Sequence, residues 1–256
     1  MKFIKHIFPF IFCIILTSPL WAQEDVKLRI FLRDELEDGS AEIYESAEDQ
    51  FREVLVVLKD KKEKYRSDRA FLEFTFSYIH KKFLKEYEQY VTVSQAFVKN
   101  GKYDCVTGTA LYALALEELG YQYEIRETDY HVFLMVKVDD REYMFESTDA
   151  INGFAYDKRE IEERRNFVLN DARAINEKMA MSGVSAENKN IKITVIDNSV
   201  SLKELSGLHF YNQALKKFNN QDYREAFRLV TIAQGIYPSN RIKNAASYMF
   251  AVAFED

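Results

Sequence analysis

Residues 102–149 constrain this chain more than any other stretch. Cys105 heads a run rich in Ala and Leu that ends at Leu119-Gly120. That composition predicts a helix, with Gly120 as its stop and with Asp104 and Thr107 where helix-starting side chains belong. Residues 121–127, 131–138 and 142–147 read as three strands, and Asp139-Asp140 reads as a tight turn between the last two. A thiol (Cys105), an imidazole (His131) and an acidic run (Glu146 to Asp149) therefore follow one another along the chain. Those are the parts of a Cys-His-acid nucleophile system.

Hairpin register decides which acid meets the histidine. A two-residue turn at Asp139-Asp140 pairs Val138 with Arg141 and Lys137 with Glu142, a favourable charge pair, and sets His131 opposite Thr148. Glu146 is then the diagonal neighbour on the histidine's own face. A three-residue turn would set Asp149 opposite His131 and send Glu146 to the other face. The Lys137–Glu142 pairing favours Glu146, with Asp149 as the alternative acid. A helix N-terminus and a neighbouring imidazolium both favour a thiolate, and the imidazole needs an acceptor to fix its tautomer.

Compartment and partners follow from the first residues and from the charge. Lys2, Lys5 and His6 precede an apolar run over 7–20, then Ser18-Pro19 and Ala22 lead into charged residues. That is the layout of a secretory signal peptide, cleaved after Ala22, in a run too short for a bilayer span. Its removal leaves 234 of the 256 residues and moves the formal charge from −6 to −8. So acidic a chain argues against nucleic acid and anionic membrane surfaces as partners. Cys13 leaves with the signal, so Cys105 is the single thiol of a periplasmic or extracellular protein and cannot form an intramolecular disulfide. A solitary secreted cysteine is an intermolecular partner, a buried bystander or a reactive group. His80, His131 and His209 lack metal-ligand spacing, and no cofactor-binding motif occurs.

Elsewhere, residues 26–32 alternate weakly, as a first strand or a lead-in. Residues 40–64 and 69–87 carry apolar residues at helical spacing, the second capped by Ser67 and Asp68, and 157–181 form a long charged amphipathic helix. Residues 183–190 read as a polar loop and 191–196 as one more strand. Residues 207–238 resemble a tetratricopeptide-type helix pair. Ala214, Tyr223, Ala226, Ala233 and Pro238 stand at its small, aromatic and helix-ending positions, with Gln221 in place of the usual mid-turn glycine. Residues 241–254 would cap the pair. A structural brace is the favoured role, ahead of peptide binding.

Asp104-Cys105, the helix ending in Leu119-Gly120, the strand opening with His131-Val132-Phe133 and the return into Phe145-Glu146-Ser147-Thr148 together resemble the transglutaminase-like superfamily. Cys105 and His131 match its motif residue for residue, and Glu146 with Thr148 stands where Asp-Pro-Thr is usual. The resemblance departs at Tyr103, where glycine is frequent, and at Val106 and Val132, where tryptophan is frequent. It implies an α+β, papain-like core in which the Cys-bearing helix packs on an antiparallel sheet. A signal peptide over 1–22 would precede a main domain over 23–200, and a small all-α appendage over 201–256 would follow it. The implied activity is a cysteine hydrolase or acyltransferase acting on an amide bond of a protein or peptide substrate, within the cell envelope of a bacterium or outside it. Hydrolysis is favoured because water needs no dedicated second site. Cys105 would attack, His131 shuttle the proton and Glu146 orient it, with Gln95 an oxyanion donor by residue type. The rival reading is a non-enzymatic envelope binding or scaffold protein. The oligomeric state is left open.

Overall fold

The computed structural model describes residues 26–32, 41–183 and 196–254. The proposed signal peptide with Cys13 lies outside them, as do most of the loop and strand expected over 183–196. Among the described residues the fold is mixed α+β: eight α-helices around a five-stranded antiparallel sheet, with a two-stranded parallel ribbon beside it.

Helix α4 (Cys105–Glu118) is the centre. Residues 105 through 116 are all buried, so no amphipathic stripe separates an inner from an outer face. It touches strands β3 (Gln122–Thr128) and β4 (Val132–Val138), and helices α3 (Asp68–Phe83) and α6 (Leu202–Asn219). Asp104 caps its start, Oδ1 accepting the Thr107 N–H at 2.7 Å. Past its end, Gly120 takes φ 75°, the left-handed conformation that glycine adopts without a Cβ penalty.

The main sheet runs β6-β5-β4-β3-β7, where β5 is Arg141–Phe145, β6 Phe154–Ala155 and β7 Asp197–Val200. Strand β4 is apolar without alternation because both its faces are covered. Val132, Leu134 and Val136 join the main core with α4, whereas Phe133 and Met135 pack with Met144, Ala155 and Ile161 of α5 (Lys158–Gly183). The β4–β5 hairpin has the two-residue register: Val138 opposite Arg141 and Lys137 opposite Glu142.

Residues 26–32 differ from the strand expectation and form helix α1 (Val26–Leu32). The weak alternation suits a strand, but the residues that enter the core are Leu28 and Phe31, three apart on one helical face. Phe31 meets His209 of α6 edge-on at 6.2 Å. Helix α2 (Ala41–Lys64) and α3 pack through the aromatic stripe of α3, and a 3-10 helix (Val93–Phe97) underlies the chain before α4.

The C-terminal helices α6, α7 (Tyr223–Ile236) and α8 (Asn240–Phe254) extend the core of the rest. Leu205, Leu208, Phe210, Ala214, Leu229, Ile242 and Met249 belong to the same buried cluster as α4. The turn between α6 and α7 holds Gln221 at φ 63°. A side chain in that region costs on the order of 1–2 kcal/mol, partly offset by the chain entropy that glycine would lose on folding. Gln221→Gly is therefore expected to raise stability by about 0.5–1 kcal/mol, read as a higher urea midpoint at unchanged slope.

Candidate active site

Three parts of the chain converge at the first turn of α4. Cys105 is the helix's first residue, 9% exposed. His131 immediately precedes β4, and Glu146 immediately follows β5. The β4–β5 ladder ends at Leu134 opposite Phe145, and Glu146, the next residue, reaches His131 from the start of the turn that follows. Glu146 Oε2 lies 2.6 Å from His131 Nε2, and the two side chains are 11% and 12% exposed. Thr109 Oγ1 donates to the Val132 carbonyl at 3.3 Å, pinning the start of β4 to α4.

A close approach of backbones makes this convergence possible. A Cβ on Gly108, one helical turn after Asp104, would sit 2.6 Å from Ser147 Cβ, so only glycine lets the helix lie against the 146–148 segment. On the far side of that segment, a Cβ on Gly153 would fall 2.1 Å from the Glu146 carbonyl oxygen. Glu146 donates its N–H to the Gly153 carbonyl at 2.8 Å. Buried His80 adds a third hold, its Nε2 lying 3.2 Å from the Ser147 carbonyl.

The second oxygen of Glu146 is fully used as well. Oε1 accepts from the Thr148 N–H at 3.0 Å and from Thr148 Oγ1 at 2.6 Å. Burial alone would raise the Glu146 carboxyl, but the His131 charge and the Thr148 hydrogen bonds hold it below its ordinary range. Burial would likewise neutralise His131. The Glu146 carboxylate, with the Cys105 side chain nearby, outweighs it and raises the histidine to about 10. With Nε2 facing Glu146, Nδ1 is the ring nitrogen left for the thiol.

Asp149, the alternative acid, is placed apart from this pair. Its Oδ1 accepts the N–H groups of Ile151 (3.2 Å) and Asn152 (2.8 Å), which shapes the turn that follows. Gln95 is also elsewhere. Its Oε1 caps the 3-10 helix by accepting the Thr92 N–H at 2.9 Å, and it does not line the cleft. Sequence reasoning missed the double hydrogen bond from Thr148, although a hydroxyl residue two positions after a carboxylate is a known local partner. It also missed the cleft walls.

Those walls enclose about 640 Å³ over Cys105 and His131. Tyr87, Tyr90, Tyr130 and Tyr211 line it, with Gln89, Asn212 and Arg241 among the polar groups. Burial, with the charges of Cys105, Asp104 and Glu146 nearby, pushes the Tyr87 phenol up, so it stays a protonated donor at neutral pH. Asp104, wholly buried beside Cys105, is pushed up by burial despite hydrogen bonds from Thr107, Asn212 and Val106. Among the described residues no group of three His, Cys, Asp or Glu side chains is arranged to hold a metal ion.

Three outcomes are expected. Thr148→Val removes a hydrogen bond to a buried carboxylate and should cost about 1.5–3 kcal/mol in denaturant unfolding. Asp149→Asn, which keeps the Oδ1 acceptor, should cost little. A histidine raised in the folded state from 6.5 to about 10 gives its full stabilisation below pH 6.5 and loses it as pH rises through about 10. Unfolding midpoints should therefore fall across that window, with a shallower fall in His131→Ala. Compared with protein-family models, curated proteins and solved structures, the chain matches none.

Proposed function

We propose that this chain is a transglutaminase-like cysteine hydrolase or acyltransferase acting on an amide bond of a protein or peptide. The observation that carries the reading is the His131–Glu146 contact of 2.6 Å, with Cys105, at the head of a buried helix, lining the same cleft as the imidazole. A buried charged pair of this kind is a poor device for stability alone, because desolvation cancels much of the attraction. It is an effective device for holding an imidazolium beside a sulfur.

The sequence of events follows from the roles. The Cys105 sulfur attacks the amide carbonyl, forming a carbon–sulfur bond and an oxyanion. The Cys105 backbone N–H, one of the first-turn donors that a helix leaves without an internal partner, faces that charge. His131 gives its proton to the departing amine as the carbon–nitrogen bond breaks, which leaves a thioester. Water then attacks with His131 taking a proton, releasing a carboxylic acid and restoring the Cys105 thiolate beside the imidazolium. An amine attacking instead would give a new amide. Glu146 holds His131 throughout, and Thr148 holds Glu146. The tyrosine-lined cleft suits an extended, partly apolar segment better than a highly charged one. The signal-like start of the sequence supports a periplasmic or extracellular site of action.

Alkylation by iodoacetamide tests the reading without a known substrate. Cys105 is expected to react at pH 6, with His131→Ala abolishing that reaction and leaving only the rise of an ordinary thiol. Labelling that begins only above about pH 8, unaltered by His131→Ala, would leave the non-enzymatic binding role as the surviving reading.

A further inference from the structure

Helices α6 and α8 touch the candidate site at three points, each beside a residue that the chemistry needs. Asn212 Nδ2 donates to Asp104 Oδ2 at 3.4 Å, next to the nucleophile. Gln213 Nε2 donates to the carbonyls of Tyr90 (3.2 Å) and Val91 (2.8 Å), fixing a rim residue held at φ 61°. The third contact is the most directed.

His131 hangs from the β3–β4 turn. Thr128 closes that turn on the histidine's backbone: its N–H and Oγ1 donate to the His131 carbonyl at 2.7 and 3.1 Å, and Oγ1 accepts the His131 N–H at 3.2 Å. Arg241 of α8 reaches across to the same turn. Nη1 donates to the carbonyl of Asp129, two residues before the histidine, and Nη2 donates to Glu127 Oε1. Glu127 is 1% exposed, lies opposite Val132 in the β3–β4 ladder, and takes the Tyr237 hydroxyl on Oε2 at 2.6 Å. The guanidinium stands 5.4 Å from the ring centroid of Tyr211, and both residues face the cleft. A planar fork spanning a buried carboxylate and a turn carbonyl fixes distance and orientation together, which a lysine ammonium cannot do.

We infer that Arg241 is a positioning residue for His131, acting through Glu127 and the Asp129 carbonyl, so that the C-terminal helices are a working part of the catalytic centre. This rests on the reading of Cys105, His131 and Glu146 as one reactive unit. A general brace could attach anywhere on the sheet. This one ends on the turn that aims the histidine, and its companions end on the nucleophile's cap and on the cleft rim.

The test is the pH profile of Cys105 alkylation in the full chain, with folding followed by circular dichroism. Wild type and His131→Ala come first. If wild type shows only ordinary thiol behaviour, the reactive-unit reading fails and the inference falls with it. If wild type reacts at pH 6 and His131→Ala does not, Arg241 decides the rest. Arg241→Lys keeps a cation for Glu127, so it should fold, yet its rate at pH 6 should drop about tenfold to a hundredfold, the scale of a displaced catalytic group. Lys243→Gln, on the same helix, should leave the rate unchanged. Arg241→Ala should recover part of the lost rate when ethylguanidinium is added. A folded Arg241→Lys with the wild-type profile would overturn the inference.

Discussion

The His131–Glu146 pair is the constraint to which the rest of the molecule answers. Both side chains are close to nine-tenths buried, and neither charge would survive there unaided. Every atom around the pair serves that need. Thr148 saturates the second carboxylate oxygen from two donors, and Cys105 lines the same cleft as the imidazole. Gly108 and Gly153 omit side chains so that α4 and the turn can press the segment 146–148 between them. Remove the pair and those glycines have no reason to be so tightly approached.

What could be read from the chain, and what could not, divides by range. The α4 boundaries rest on Asp104 and Gly120, neighbours of the helix they delimit. The hairpin register rests on Asp139-Asp140 and on a charge pair five residues apart, Lys137 with Glu142. From that register alone Glu146 falls beside His131 and Asp149 falls away. Helix α1 was ambiguous because four alternating apolar residues fit either period, and only the packing of Leu28 and Phe31 against α6 chooses. Strand β7 carries no pattern: Asp197, Asn198 and Ser199 are exposed, and the strand exists because β3 offers it a free edge. Arg241 meets Glu127 across 114 positions, a contact that no local spacing encodes.

Reading the last three helices as an appendage fails to capture how they are buried. Their apolar residues complete the cluster that begins with α4, so that helix is covered partly by residues far downstream, such as Leu205 and Phe210. The exposed aromatic residues Tyr248, Phe250 and Phe254 lie on α8, whereas its buried Ile242, Ala246 and Met249 face the core. The helical group thus presents one face to the site and turns the other outward.

Two buried carboxylates bracket the β3–β4 turn, and each is met by a different cation. Glu127, before the turn, is met by Arg241; Glu146, on the neighbouring strand's exit, is met by His131. The guanidinium fork spans Glu127 and the Asp129 carbonyl, so the first pair is an anchor. The imidazole can give and take its proton, so the second pair is where chemistry is able to occur. The anchor holds the chain at Glu127 and Asp129, four and two residues upstream of His131, and so fixes the histidine's backbone without engaging its ring. The acid–base role proposed for His131 asks for a rigid position and free protonation, and this turn separates the two requirements onto two residues.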